Sequence, residues 1–159
     1  MTIRRTCFTL RLPSETAALA QRIGARLGAG DCILLDGQIG AGKTHFARHL
    51  IQSRLRLPED VPSPTFTLVQ TYDADTVEIW HADLYRISNI DEIEELGLTD
   101  AFETAICLVE WPEMLGALTP DNALTIKFSN VPDDEQTRNL ILTWSDIKWS
   151  GILESLTDD

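Results

Sequence analysis

Apolar residues recur with two different periods along this chain, and the switching between them predicts the architecture. Residues 32–35 (Cys32-Ile33-Leu34-Leu35) and 106–109 (Ile106-Cys107-Leu108-Val109) are short unbroken apolar runs. Such runs read as strands covered on both faces, as in a parallel sheet with helices above and below. Residues 6–12 read as a first strand. Pro13 and Ser14 signal the start of a helix over 15–27 with Ser14 as its N-cap, and Gly28 and Gly30 end it. A second helix is predicted over 43–55. Pro58, Pro62 and Pro64 exclude helix and central strand from 56–64, which is predicted as a surface loop. Alternation over 66–72 and 76–84, on either side of Asp73-Ala74-Asp75, predicts a hairpin. A short acidic amphipathic helix is expected at 90–98. Strands at 124–128 and 140–144 are expected to pair across a polar turn at 130–139. From residue 145 onward, Ile147, Ile152, Leu153 and Leu156 could line an amphipathic helix, but Gly151 costs it about 1 kcal/mol, so the sequence leaves the order of this tail open. Strands alternating with helices predict an α/β fold: a three-layer sandwich around a mixed, mostly parallel sheet, with one domain over 1–144 and the tail at 145–159.

Composition narrows the class. A chain of 159 residues, 43% apolar and 24% charged, can bury one core and has little room for a second. The formal net charge of −12 disfavours direct binding of DNA or RNA, whose affinity comes mostly from Lys and Arg neutralising phosphates. Cys7, Cys32 and Cys107 are odd in number and widely spaced, as expected of reduced thiols, with neither a disulfide framework nor zinc spacing. No run of 18 apolar residues occurs, and no long apolar stretch follows the basic start Met1-Thr2-Ile3-Arg4-Arg5. A cytoplasmic protein without a membrane or DNA partner is expected.

Candidate chemistry is concentrated between the second strand and the second helix. Gly37-Gln38-Ile39-Gly40-Ala41-Gly42-Lys43-Thr44 is a complete G-x-x-x-x-G-K-[ST] phosphate-binding loop, placed after a strand and before a helix as its mechanism requires. Its glycines let backbone N–H groups turn in toward phosphates. Lys43 would reach the β/γ oxygens and the Thr44 hydroxyl would take a place on Mg²⁺. The helix N-terminus adds a positive end to the same anion. The sandwich is therefore expected to be P-loop NTPase-like, with a nucleoside triphosphate and Mg²⁺ as ligands.

Two acids at strand ends are candidates for the magnesium. Glu110 closes the apolar run 106–109, and Asp83 closes the strand holding Ile79, Trp80, His81 and Ala82. Mg²⁺ in such sites uses one or two carboxylates and keeps several waters, so either acid or both could serve; each alone could equally be an exposed acid capping a strand. Pro62-Ser63-Pro64-Thr65-Phe66-Thr67 lies where nucleotide switches place a loop that senses the γ-phosphate, and is otherwise a proline-flanked connector. His45 and His49, four apart on the second helix, could meet a metal but lack the intervening Glu of a zinc protease, and read as surface residues. His81 and Asp83 share one side of their strand, so His81 is either a positioned group near the nucleotide or a satisfied, partly buried histidine.

Taken in order, the phosphate loop, Ser63-Pro64-Thr65-Phe66-Thr67-Leu68-Val69, His81-Ala82-Asp83-Leu84-Tyr85-Arg86, Glu94-Glu95-Leu96-Gly97-Leu98 and Val109-Glu110-Trp111-Pro112-Glu113 resemble the TsaE family over about residues 8–144. That family comprises small bacterial ATPases required for threonylcarbamoyladenosine modification of tRNA. The resemblance implies that Lys43 and Thr44 hold phosphates and Mg²⁺, and that Thr65 belongs to a switch-like loop. It implies that Asp83 and Glu110 serve the metal and the attacking water, and that Trp111 sits close to the nucleotide. Gln38 and His45 depart from the family pattern, in which an acid and a threonine are common at those positions. The implied partners are the transferase TsaD and its companion TsaB, with tRNA met only through that assembly. The residues themselves also admit a small-molecule P-loop kinase, although no arginine-bearing lid is visible, or a nucleotide-dependent binding switch with negligible hydrolysis.

Overall fold

The structure is a computed structural model and describes residues 2–157. A seven-stranded sheet in the order β1-β7-β6-β2-β5-β4-β3 runs through it. Its strands are β1 (Arg4–Leu10), β2 (Cys32–Asp36), β3 (Val69–Asp73), β4 (Glu78–Asp83), β5 (Ile106–Glu110), β6 (Leu124–Val131) and β7 (Asp134–Trp144). The central four, β6, β2, β5 and β4, are parallel, and antiparallel strands close both edges. Helices lie on both faces, giving the expected three-layer α/β sandwich. One face carries α1 (Pro13–Gly24), α2 (Lys43–Arg54) and α5 (Ile147–Thr157); the other carries α3 (Ile90–Glu95), α4 (Leu98–Thr104) and a 3₁₀ segment, Pro112–Leu118.

The apolar runs explain the layering. Along β2, Ile33 and Leu35 join the core under α1, α2 and α5, while Cys32 and Leu34 join the one under α3 and α4. Burial on both faces is the reason those strands show no polar alternation.

Several boundaries differ from the sequence expectation, each for a local reason. Helix α1 starts at Pro13, whose fixed φ suits the first helical position, so the N-cap is Leu12 and Ser14 lies inside the helix. The Glu15 carboxylate, not Ser14, takes an amide at this end, from Arg11 at 3.1 Å. The helix also ends at Gly24, before Gly28. Residues 66–68 are not strand: Leu68 adopts φ 69° and donates its amide to the Pro64 carbonyl at 2.7 Å, curling the chain before β3 begins. The helix expected at 90–98 breaks at Gly97 (φ 84°), and α4, which the pattern did not indicate, follows. The supposed turn at 130–139 is mostly ladder, since β6 and β7 stay paired as far as Val131 and Asp134.

Helix α5 answers the question its sequence left open. Trp149, Ile152, Leu153 and Leu156 are buried in the core beside α1, and Trp149 Nε1 donates to the Asn122 carbonyl at 2.7 Å. Each of the three aliphatic residues gains about 1.5–3 kcal/mol by burial, which outweighs the roughly 1 kcal/mol for Gly151. Among the described residues, no helix is long and apolar enough to cross a membrane.

Candidate functional site

The 37–44 loop leaves the carboxyl end of the middle strand β2 and leads into α2. Two glycines are dictated by geometry. Gly42 caps α2 at φ 109°, where an L side chain is strained. A Cβ on Gly37 would stand 3.0 Å from the Phe128 carbonyl oxygen, a close approach of loop to β6. Lys43 is buried; its ammonium donates to the Gly37 carbonyl at 2.5 Å and lies 3.4 Å from the centroid of the Trp111 ring. Burial lowers its pKa, opposed in part by Glu110, Asp83, Glu113 and Asp36. Trp111 itself holds φ 59°, a costly conformation for an aromatic residue, and its ring meets Tyr85 at 4.7 Å.

The two strand-end acids stand side by side at the same edge of the sheet. Asp83 and Glu110 are register partners on the parallel strands β4 and β5, and both are buried. Glu110 receives the Thr44 hydroxyl at 2.9 and 3.0 Å on its two oxygens, and Oε2 lies 2.6 Å from His81 Nε2. A carboxylate can only accept, so Nε2 carries the hydrogen. The fully buried ring has no partner at Nδ1. Asp83 accepts the Tyr85 amide at 3.0 Å and, more loosely, the Thr65 hydroxyl at 3.3 Å. Thr65 also meets Ser63 Oγ at 2.8 Å. Thr44, Asp83 and Glu110 thus bring hard oxygen donors together beside the loop lysine, a donor set suited to Mg²⁺.

A cleft of about 410 Å³ gathers Ile39, Gly40, Gly42, Lys43, Thr44, His45, Ser63, Thr65, Asp83, Glu110 and Trp111. Gly37, Gln38 and Ala41 line an adjoining cavity of about 430 Å³ with Lys127, Phe128, Ser129 and Asn130, and Trp111 borders both. His45 and His49 are half-buried rather than plain surface residues. Their rings meet edge-on at 4.5 Å, and His45 Nε2 lies 2.9 Å from the Pro13 carbonyl, which requires the hydrogen on that nitrogen. Among the described residues, no cluster of three or more His, Cys, Asp or Glu is placed to hold a metal.

Sequence reasoning missed two contacts. The His81 to Glu110 bond needs the parallel register of β4 on β5, which no local pattern displays. Arg138 on β7 donates to the carbonyls of Ala41 (3.1 Å) and Gly40 (3.4 Å) from the far side of the loop, and nothing in its own neighbourhood signals that.

Comparison with known proteins agrees with this geometry. The sequence model of "Threonylcarbamoyl adenosine biosynthesis protein TsaE" matches residues 10–140. The tRNA threonylcarbamoyladenosine biosynthesis protein TsaE of Rickettsia bellii is 35% identical over 131 residues, 82% of this chain and 91% of that protein. Its counterpart in Bacillus subtilis strain 168 is 37% identical over 125 residues, 78% of this chain and 77% of that protein. The crystal structure of Bacillus subtilus YdiB superposes with a TM-score of 0.77 at 25% identity, covering 99% of this chain and 97% of the other.

Proposed function

Since the chain belongs to the TsaE family of threonylcarbamoyl adenosine biosynthesis proteins, we propose that it is the accessory ATPase of that tRNA modification, binding and hydrolysing ATP at its contact with a TsaD and TsaB transferase in the cytoplasm. The observation that carries the reading is the convergence of Thr44, Glu110, Asp83 and Thr65 beside Lys43 at the carboxyl edge of the parallel strands.

Each residue then has a task. Lys43 exchanges the Gly37 carbonyl and the Trp111 face for the β/γ oxygens, while the loop amides and the start of α2 receive the remaining negative charge. Mg²⁺, which Thr44, Asp83 and Glu110 would hold directly or through water, supplies charge neutralisation at the transferring phosphoryl group. Glu110, fixed on two sides by Thr44 and His81, orients the attacking water, and Thr65 closes over it from the 63–67 segment.

The isolated chain should be slow, because Thr65 holds Asp83 only through a 3.3 Å contact and the segment bearing it is largely exposed. A partner would fix that segment. Ile39, Phe66 and Tyr85 stand 74%, 84% and 54% exposed around the cleft mouth, apolar surface suited to another protein rather than to an anionic tRNA. A small-molecule kinase would need free arginines over the phosphates, whereas Arg48 and Arg54 are spent on backbone carbonyls. Phosphate release from ATP, measured with and without purified TsaD and TsaB, tests the proposal. Stimulation is expected; phosphate appearing on a metabolite instead would establish the kinase.

A further inference from the structure

We infer that Arg138 is a positioning residue for the nucleotide, acting through the backbone of the 37–44 loop without touching the ligand. The guanidinium, presented by β7, is half-buried and makes four hydrogen bonds, all to carbonyl oxygens. Nη1 donates to Glu135 (2.6 Å) and Thr137 (3.0 Å), which locks the group to its own strand. Nε and Nη2 then donate to Ala41 (3.1 Å) and Gly40 (3.4 Å), 97 and 98 residues away in sequence.

Peptide planarity turns these bonds into control of the amides. The carbonyl of one residue and the N–H of the next are antiparallel across a planar unit, so holding the Ala41 carbonyl outward aims the Gly42 N–H the opposite way. Gly42 lines the cleft. The neighbouring unit is held at both ends, its Gly40 carbonyl by Arg138 and its Ala41 N–H by the Gln38 carbonyl at 3.1 Å. Gly40 and Gly42, at φ 81° and 109°, flank this segment and would otherwise leave it with the conformational freedom glycine brings. The tether removes that freedom before ligand arrives, so less ordering is left for binding to accomplish. Lysine keeps the charge but has no planar fork to hold the loop and β7 at once.

The inference rests on reading residues 37–44 as a nucleotide loop, and the test separates the two. In wild type, Arg138→Lys and Arg138→Gln, amide exchange of Ala41 is followed by NMR without nucleotide, with β2 and β5 amides as internal control; ATP affinity is measured by calorimetry and steady-state hydrolysis by phosphate release. Both variants should exchange Ala41 about tenfold faster with the strand amides unchanged, and should bind ATP about tenfold more weakly and raise KM to match, with kcat within twofold. Unchanged Ala41 exchange, or strand amides and kcat falling together with affinity, would overturn the inference. Absence of ATP binding by wild type would remove the proposed function and leave the exchange result to judge Arg138.

Discussion

Replacing His81 by leucine tests whether the buried ring exists for Glu110. The ring is fully buried, its Nε2 lies 2.6 Å from Glu110 Oε2, and its Nδ1 has no partner. A hydrogen bond to a charged group contributes about 1.5–3 kcal/mol, and an unsatisfied buried nitrogen costs about 1 kcal/mol or more. Leucine is close to histidine in size, so it forfeits the first, removes the second and opens little cavity. The net loss is about 1 kcal/mol, or roughly 2–4 °C in melting temperature for a domain of this size. The functional loss should be larger than the thermal one. Glu110 would keep Thr44 but lose the hold on Oε2, and support of this kind for a ligand or catalytic carboxylate is worth about 10–100-fold. Hydrolysis should fall in that range while ATP affinity changes less than about threefold, because Lys43 and the loop amides are untouched. His81→Gln restores an N–H donor near the same place and should recover most of the activity. Melting curves, calorimetry and phosphate release on the three proteins decide the matter. Equal hydrolysis in wild type and His81→Leu, or no recovery in His81→Gln, would refute the reasoning.

Gly42→Ala forces a side chain into φ 109° with no steric clash to blame, since the nearest atom is 3.9 Å away; strain of about 1–3 kcal/mol, shed when the free loop relaxes and restored on binding, should weaken ATP binding about 5–150-fold while secondary structure by circular dichroism is unchanged. Asp83→Asn and Glu110→Gln keep shape but remove charge, so calorimetry should still detect nucleotide while phosphate release is lost; wild-type hydrolysis in both would clear these acids of the role. Burial pushes the Cys107 thiol up to about 12 and raises Cys32 well above the usual thiol range, whereas Cys7 is exposed on β1. A thiol reagent should therefore titrate one cysteine per native chain and three after denaturation, and rapid native reaction of two or more would show the core to be less closed than described.

What was legible from sequence was local. The unbroken apolar runs of β2 and β5 and the spacing of the 37–44 loop identify themselves, because burial on both faces and phosphate contact by backbone each demand a specific residue pattern. That Asp83 and Glu110 each close a strand is legible in the same way, whereas the pairing of β4 with β5 that sets the two acids side by side is a matter of tertiary register. Boundaries were lost where one residue overrides propensity: Pro13 starting α1 unaided, Leu68 in a left-handed turn ahead of β3, Gly97 separating two short helices. The pairing of β6 with β7 is as expected, but the turn between them is much shorter than 130–139, because the outer half of the hairpin is solvent-exposed and an antiparallel ladder there needs no apolar alternation. Contacts that depend on tertiary register, His81 with Glu110 and Arg138 with Gly40 and Ala41, have no signature in the residues around them.

The most direct measurement is a reconstitution of threonylcarbamoyladenosine synthesis from purified TsaD, TsaB and the enzyme that makes threonylcarbamoyl-adenylate, with tRNA, threonine, bicarbonate and ATP. Wild-type chain should carry synthesis through many rounds per transferase, and Lys43→Ala, which removes the charge proposed to meet the phosphates, should leave it near a single round. Equal yields with wild type, with Lys43→Ala and with no added chain would contradict the account.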